Sequence, residues 1–307
     1  LYSDGSIHLN HGGTEMGQGL FMKVAQVVAE TFQVDLTRIK ITATTTGKVP
    51  NTSATAASSG SDMNGMAARN AAETIKARLV TFLAQRWRVD PSAVTFLPGR
   101  VVAGGNEISF DDLAREAWMN RVSLSATGFY ATPKIHWDRD NARGLPFFYF
   151  AYGAAVSEVE IDTLTGENRR TDILHDVGRS LNPAIDLGQI EGGFVQGAGW
   201  LTTEELYWDE AGRLRTHAGS TYKIPTAGDR PPDLRVKLFE RGVNVEDTIF
   251  KSKAVGEPPL MLANSVHAAL TDAVNSLAPE GVFVPLDAPA TPERVLWACE
   301  RARRGGG

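Results

Sequence analysis

Residues 252–261 read SKAVGEPPLM and place one carboxylate, Glu257, between a glycine and two prolines. Glycine permits many backbone angles, whereas proline fixes φ at about −65°, so the backbone after Glu257 is tightly constrained. Apolar residues then recur at helical spacing through residues 260–274. The pattern predicts a helix that begins at Pro258 or Pro259, with Glu257 immediately before it. A carboxylate in this position is either a favourable acid at a helix start or a side chain placed for chemistry.

The composition indicates a globular chain with a large core. Its 307 residues are 42% hydrophobic, no apolar run reaches the roughly 18 residues of a membrane span, and no signal segment opens the chain. We therefore expect a cytoplasmic location without membrane association. Basic residues are dispersed until Arg301, Arg303 and Arg304, and the net charge is −5, so no nucleic-acid surface is predicted. The single Cys299 excludes a zinc or iron–sulfur site built on several thiolates of this chain.

The first ten residues contain the turn signal Asp4-Gly5 followed by alternating residues, which predicts a hairpin. The strand before that turn is almost absent. We therefore expect the chain to be the C-terminal piece of a longer protein.

Two loop-to-helix junctions are candidate binding sites. Residues 11–19, HGGTEMGQG, precede a helical pattern, and the free N–H groups of such a helix start suit an anionic group. Their spacing matches neither the phosphate-binding loop nor the dinucleotide fingerprint. Residues 51–61, NTSATAASSGS, have small side chains that let a ligand approach the backbone, and a helix is predicted from Asp62 to about Arg86. A tight turn and a flexible linker are the simpler interpretations of these two stretches.

A glycine-rich helix is predicted over residues 187–200, after a capping sequence at residues 182–186. Each of its five glycines costs up to about 1 kcal/mol relative to alanine, which implies that another element packs very closely against it. Because no face is polar, we expect the helix to be buried. Its Gln196 would then need a partner, either a heterocycle or a polar group of the core.

The remaining segments are hairpins, short strands and one further helix, without regular βαβ repetition. They are hairpins at 94–107 and 147–177, strands at 204–208, 213–217 and 234–240, and a helix at 110–119. An α+β fold is predicted, in which short, mostly antiparallel sheets pack with helices. We expect the chain to divide into residues 1–145 and residues 146–307, the second part carrying Glu257.

Together these stretches resemble the molybdenum hydroxylases, and most closely the C-terminal molybdopterin-binding part of their purine-oxidising members. The matching motifs run in order through nearly the whole chain, at residues 12–19, 51–58, 123–130, 181–186, 196–197 and 253–259. Each motif is weak alone, but the combination is highly specific.

The resemblance implies roles for individual residues. Glu257 would be the general base of the reaction, and Ala56 would touch the substrate. The backbone of Ala57 would approach the oxo ligand of the molybdenum, to which no side chain of this chain would be a ligand. The residues in contact with molybdopterin would be Met16, Gly17, Gln18, Thr55, Ala57, Ser58, Ser59 and Gln196.

The resemblance also implies an activity and partners. The expected reaction is hydroxylation of a purine, from hypoxanthine to xanthine to urate, with oxygen from water and a molybdenum–molybdopterin cofactor. Electrons would pass to iron–sulfur clusters and FAD outside this chain, so an upstream molybdenum-binding segment and a hetero-oligomer are expected. Two alternatives share the motifs: an aldehyde oxidase of the same family, and a non-catalytic subunit that binds the cofactor. The rigid placement of Glu257 argues against the non-catalytic subunit.

Overall fold

The computed structural model describes residues 1–49, 52–162 and 168–306, with the backbone alone for residues 168 and 169. The chain has the predicted α+β fold and forms two compact units. The first unit comprises Leu1–Phe150 with Asn244–Ala254, and the second comprises Ala151–Val243 with Val255–Gly307. The division at residue 145, which separates two functional parts of the cofactor-binding region, stays a prediction.

The first unit packs three helices against short sheets. The helices are α1 (Leu20–Phe32), α2 (Gly60–Trp87) and α3 (Phe110–Met119). The strands are β1 (Ile7–Leu9) paired in parallel with β2 (Ile39–Ile41), an antiparallel meander of β3 (Thr95–Leu97), β4 (Arg100–Ala103) and β5 (Asn106–Ser109), and β6 (His136–Asp138) paired with β7 (Arg143–Leu145). The helices predicted from apolar spacing are confirmed. Their buried faces meet in one core, which includes Leu20, Val24, Phe32, Leu79, Leu83 and Leu113.

The hairpin predicted at the start of the first unit is wrong. The turn itself forms, because the N–H of Tyr2 donates to the carbonyl of Ser6 at 2.8 Å and the N–H of Gly5 donates to the carbonyl of Tyr2 at 3.1 Å. However, β1 pairs with β2, about thirty residues later and in parallel. A turn signal is local, whereas the partner of a strand is chosen by packing. Residues 50 and 51, the second of which begins the small-residue stretch, lie outside the described residues.

The second unit surrounds a three-stranded sheet with helices. The strands are β8 (Tyr152–Val159), β9 (Asn168–Asp176) and β10 (Asp233–Leu238), with β9 antiparallel to β8 and parallel to β10. The helices are α4 (Pro183–Thr202), α5 (Asn264–Asn275) and α6 (Pro292–Arg303). The hairpin predicted over residues 147–177 is confirmed as β8 and β9, although residues 163–167 between them lie outside the described chain. The strands predicted at 204–208 and 213–217 are wrong, since these residues share one isolated bridge between Trp208 and Leu214.

The glycines of α4 let this helix approach the turn that follows Glu257, a 3₁₀ helix over Pro258–Ala263. A Cβ atom added to Gly197 would lie 2.3 Å from the carbonyl oxygen of Leu260 and 2.8 Å from the Cβ of Ala263. One added to Gly193 would lie 3.1 Å from the Cβ of Pro259. The predicted close packing is therefore confirmed, and its partner is the segment around the candidate base.

The expectation that α4 is buried on every side is wrong. Ile190 and Phe194 are fully buried, whereas Glu191, Gln196 and Trp200 are exposed in the described chain. The prediction failed because glycine counts as apolar in a sequence pattern without contributing a side chain that must be buried. The helix has one packed face and one open face.

A partly buried polar cluster in the first unit was not predicted. Asp62, in the first turn of α2, accepts a hydrogen bond from the hydroxyl of Tyr149 at 2.5 Å. That hydroxyl in turn accepts the N–H of Ala254 at 2.8 Å. Burial raises the pKa of Asp62 to about 6, although the bond from Tyr149 and the charge of Lys23 act in the opposite direction. Lys23 is itself buried on α1.

Gly197→Ala should destabilise the second unit. The new Cβ would overlap backbone atoms of Leu260 that cannot rotate away, and overpacking of this kind costs about 1–3 kcal/mol of the free energy of unfolding. Gly192→Ala is the matched control, because nothing lies within 4 Å of its added Cβ and alanine favours the helix by about 0.5–1 kcal/mol. Urea unfolding of both variants checks this. Equal stability of the two variants would contradict the packing described here.

The partly buried Asp62 should make stability depend on pH in a particular direction. Because the pKa of Asp62 is raised to about 6 in the folded protein, the folded state binds a proton more tightly than the unfolded state, and this contribution to stability falls as the pH rises from about 4 to about 6. Asp62→Asn should remove that dependence, as measured by melting temperatures across this range. Asp35→Asn is the control, because hydrogen bonds from Thr37 lower the pKa of the exposed Asp35 and the contribution of this carboxylate therefore changes only below the range tested. A difference between wild type and Asp62→Asn that does not change with pH would refute the assignment.

Candidate functional site

The loop before α1 is held by its own carboxylate, Glu15. One oxygen accepts the N–H groups of Gly17 at 2.9 Å and Gly19 at 3.0 Å, and the other accepts the N–H of Phe21 at 2.9 Å. Partial burial acts to raise the pKa of Glu15, but these donors together hold it below its usual value. N–H groups that were expected to face an external anion are therefore already bonded within the chain. This corrects the expectation drawn from the loop sequence.

Gln18 completes the same loop. Its side-chain oxygen accepts the N–H of Met16 at 2.6 Å, and its amide nitrogen donates to the carbonyl of Thr14 at 2.8 Å. The Met16 side chain is 67% exposed. Gly17 has φ 98°, a left-handed conformation that favours glycine, and nothing lies within 4 Å of a Cβ added to it. Residues 16–18 thus form an ordered edge with open space beside it.

The small-residue stretch that precedes α2 lies against this loop. The hydroxyl oxygen of Thr55 accepts the N–H of Thr14 at 2.9 Å. A Cβ added to Gly12 would lie 2.0 Å from the Cγ2 of Thr52, so this contact requires glycine. The structure therefore brings together the two loops that the sequence singled out separately, and both belong to the first unit.

Two consecutive residues of this stretch have strained backbones. Ala57 has φ 58° and Ser58 has φ 50°, and the left-handed conformation costs roughly 1–2 kcal/mol for a residue with a Cβ. Such strain clusters at ligand and active sites. Ala56 and Ala57 are exposed, and the hydroxyl of Ser59 donates to the carbonyl of Ala56 at 3.2 Å. The strained residues include Ala57, the one for which the resemblance implies a close approach to the metal.

In the second unit, Glu257 lies directly before the 3₁₀ helix Pro258–Ala263, as predicted. Its backbone carbonyl accepts the N–H of Leu260 at 3.0 Å, and the helix then continues into α5. The Glu257 side chain is exposed and accepts no capping hydrogen bond from the turn. The Glu257 carboxylate therefore does not cap the turn through a hydrogen bond, although its charge is still favourable at the start of a helix. Its neighbours Val255 and Pro259 are buried and anchor the segment on both sides.

Gln196 lies on the exposed side of α4, next to the glycine that contacts the turn. The expectation that it is a buried amide is wrong, and its side chain is accessible in the described chain. Glu257 and Gln196 share the second unit, in which α4 and the turn pack directly on each other. The predicted residues Met16, Gly17, Gln18, Thr55, Ala56, Ala57, Ser58 and Ser59 share the first unit.

Sequence reasoning missed the roles of Glu15 and Asp62. An acid two residues before a glycine is a signal for a carboxylate that accepts local N–H groups, so Glu15 was in principle recognisable. Asp62 gives no such signal, because an acid in the first turn of a helix is common and exposed in most proteins. Its hydrogen bond with Tyr149 joins residues that lie 87 apart in the sequence.

Over residues 1–49, 52–162 and 168–306, no three His, Cys, Asp or Glu side chains are grouped so that they could hold a metal ion. In the same part of the chain, none of the helices has the length and apolar character needed to cross a membrane.

Known proteins share most of this sequence. A family model described as a molybdopterin cofactor-binding domain matches residues 1–231. Xanthine dehydrogenase of Oryza sativa subsp. japonica is 46% identical over 311 residues, and xanthine dehydrogenase/oxidase of Gallus gallus is 48% identical over 304 residues. Each of these alignments covers 97% of this chain and 21% of the relative. The chain therefore spans about a fifth of the length of the curated relatives it matches.

Solved structures show the same fold. The Cu,Mo-CO dehydrogenase has a TM-score of 0.83 at 22% identity, covering 99% of this chain and 37% of that one. Quinoline 2-oxidoreductase from Pseudomonas putida 86 has a TM-score of 0.82 at 23% identity, covering 98% and 37%. Aldehyde oxidoreductase from Desulfovibrio gigas has a TM-score of 0.74 at 26% identity, covering 98% and 30%. Because the family model matches well over half of its residues, the chain belongs to the molybdopterin cofactor-binding domain family.

Proposed function

We propose that this chain is the molybdopterin-binding part of a molybdenum hydroxylase that acts on a purine, with Glu257 as the general base. The observation that carries the choice of substrate is the degree of identity. Relatives named xanthine dehydrogenase or xanthine dehydrogenase/oxidase are 43–48% identical over 97% of this chain. The aldehyde oxidoreductase from Desulfovibrio gigas is 26% identical. Xanthine is therefore the substrate to test first.

The two loops of the first unit have the small side chains and the accessible main chain that a large, flat cofactor needs. The open face beside Gly17, the small exposed side chains before α2 and the strained backbone at Ala57 and Ser58 let a ligand lie directly against the main chain. The residues that would hold the molybdopterin are Met16, Gly17, Gln18, Thr55, Ala57, Ser58 and Ser59, with Gln196 donating from α4. Ala56 would face the substrate, and the Ala57 backbone would face the molybdenum. The bound group supplies the two-electron redox chemistry that side chains cannot supply.

Glu257 would accept the proton released as the substrate carbon is hydroxylated. A general base must lie within hydrogen-bond reach of that proton, so its backbone has to be fixed. Two prolines follow Glu257, and the packing of Pro259 and Leu260 on Gly193 and Gly197 fixes the turn. An exposed carboxylate on so rigid a turn supports a role in chemistry.

The rest of the electron path would lie outside this chain. Iron–sulfur clusters and FAD would accept the electrons, and an upstream segment would complete the molybdenum site in a hetero-oligomer. The cytoplasmic location likewise stays a prediction.

Glu257→Gln in the assembled holoenzyme should lower xanthine turnover by about 10²–10⁴-fold, because the amide cannot accept the proton. Molybdenum per protein should stay unchanged, as measured by elemental analysis of the same samples. Glu293→Gln is the control, since Glu293 is another exposed glutamate in the second unit, directly after a proline at a helix start. Full turnover by Glu257→Gln at full molybdenum content would reject the assignment. The same assay with an aromatic aldehyde in place of xanthine separates the purine hydroxylase from the aldehyde oxidase.

Glu15→Ala should reduce the cofactor content of the purified protein. The substitution removes the acceptor of three backbone N–H groups, each bond to a charged acceptor contributing about 1.5–3 kcal/mol, so the loop loses its fixed shape. Molybdenum and pterin content, measured together, should fall several-fold. Glu30→Ala, at an exposed position on α1, should retain the wild-type content. Equal contents in the two variants would show that the carboxylate does not shape the cofactor loop.

A further inference from the structure

The chain segment that leads to Glu257 is ordered by its own hydrogen bonds. Residues 244–254 belong to the first unit, and Ala254 is the last of them. The Asn244 side chain donates to the carbonyl of Ser252 at 2.9 Å, the hydroxyl of Thr248 donates to the same carbonyl at 2.7 Å, and all three residues are buried. These hydrogen bonds therefore fix the backbone of residues 244–252, and Ser252 lies five residues before the candidate base.

Beyond Ser252, the Tyr149 hydroxyl bonds to the backbone of the segment at Ala254. It accepts the Ala254 N–H at 2.8 Å and donates to Asp62 at 2.5 Å. At neutral pH the Asp62 carboxylate is ionised and can only accept, so the hydroxyl proton must point toward it and an oxygen lone pair is left for Ala254. Burial and the nearby charge of Asp62 raise the pKa of Tyr149, which keeps the hydroxyl protonated.

The other end of this chain of bonds lies beside the cofactor loops. Asp62 is in the first turn of α2, three residues after Ser59. Lys23, whose charge acts on Asp62, is in the first turn of α1, four residues after Gly19. Both helices begin where the two candidate cofactor loops end. Within the first unit, Asp62 and Tyr149 thus connect the first turn of α2, which follows one of these loops, to the Ala254 backbone.

We propose that Tyr149, oriented by Asp62, is a positioning residue for Glu257. Two residues separate Ala254 from Glu257: Val255 is buried, and Gly256 can adopt many backbone conformations. Two prolines follow Glu257. The hydrogen bond from Ala254 to Tyr149 fixes the backbone at the start of this short connection. Without it, the backbone could rotate at Gly256, and the Glu257 carboxylate would be displaced. This inference rests on the proposed role of Glu257.

The first test measures the contact without using activity. Amide hydrogen exchange of peptides that contain Ala254 should be about tenfold faster in Tyr149→Phe than in wild type, because the acceptor of that N–H is lost. Tyr130→Phe is the matched control, since burial and the charge of Asp62 raise the pKa of Tyr130, whereas the Ala254 N–H donates to Tyr149. Asp62→Asn, which keeps an acceptor oxygen for the hydroxyl, should give an intermediate rate. Unchanged exchange in Tyr149→Phe overturns the inference.

The second test asks whether Tyr149 acts through Glu257. In the holoenzyme, Tyr149→Phe should lower kcat for xanthine about tenfold, with KM and molybdenum content unchanged. In a Glu257→Gln background the same substitution should have no further effect, because there is no base left to position. A loss that adds fully to that of Glu257→Gln, or one that only follows a loss of molybdenum, overturns the positioning role. Should Glu257→Gln itself be fully active, the proposed function fails, while the exchange result still decides whether Tyr149 holds Ala254.

Discussion

The close approach of α4 to the turn Pro258–Ala263 is the constraint on which the second unit depends. At Gly197 the backbones of the two segments meet at a distance that leaves no room for a Cβ, and at Gly193 an added Cβ would lie 3.1 Å from the Cβ of Pro259. This contact places Gln196 on the open side of the helix and Glu257 at the beginning of the turn. A side-chain contact would allow rotamers to adjust, whereas backbone contact does not. The arrangement of the two candidate residues is therefore as rigid as the main chain itself.

The first unit uses the same principle in its loops. Gly12 packs on Thr52, Thr55 accepts the N–H of Thr14, and Gly17 has a left-handed backbone. A site of this kind suits a large ligand that supplies its own reactive centre, since the protein then has to provide shape and orientation more than reactive groups.

Features encoded over a few residues could be predicted from the sequence, and features that depend on distant partners could not. The apolar spacing of α1 and α2, the Asn182 cap of α4 and the position of Glu257 before a proline-led turn are all local. The pairing of β1 with β2 and the burial of Asp62 beneath Tyr149 each join segments tens of residues apart. The prediction for α4 was right in one part and wrong in another. The glycine pattern predicted the close contact, but it could not show which face of the helix remains exposed.

The carboxylate of Glu15 has a thermodynamic consequence for ligand binding. Because it satisfies the N–H groups of Gly17, Gly19 and Phe21 from within the chain, the loop has its shape before any cofactor arrives. The conformational entropy of ordering these residues is lost during folding and is not subtracted from the affinity for the ligand. A cofactor that binds here therefore meets a preorganised surface.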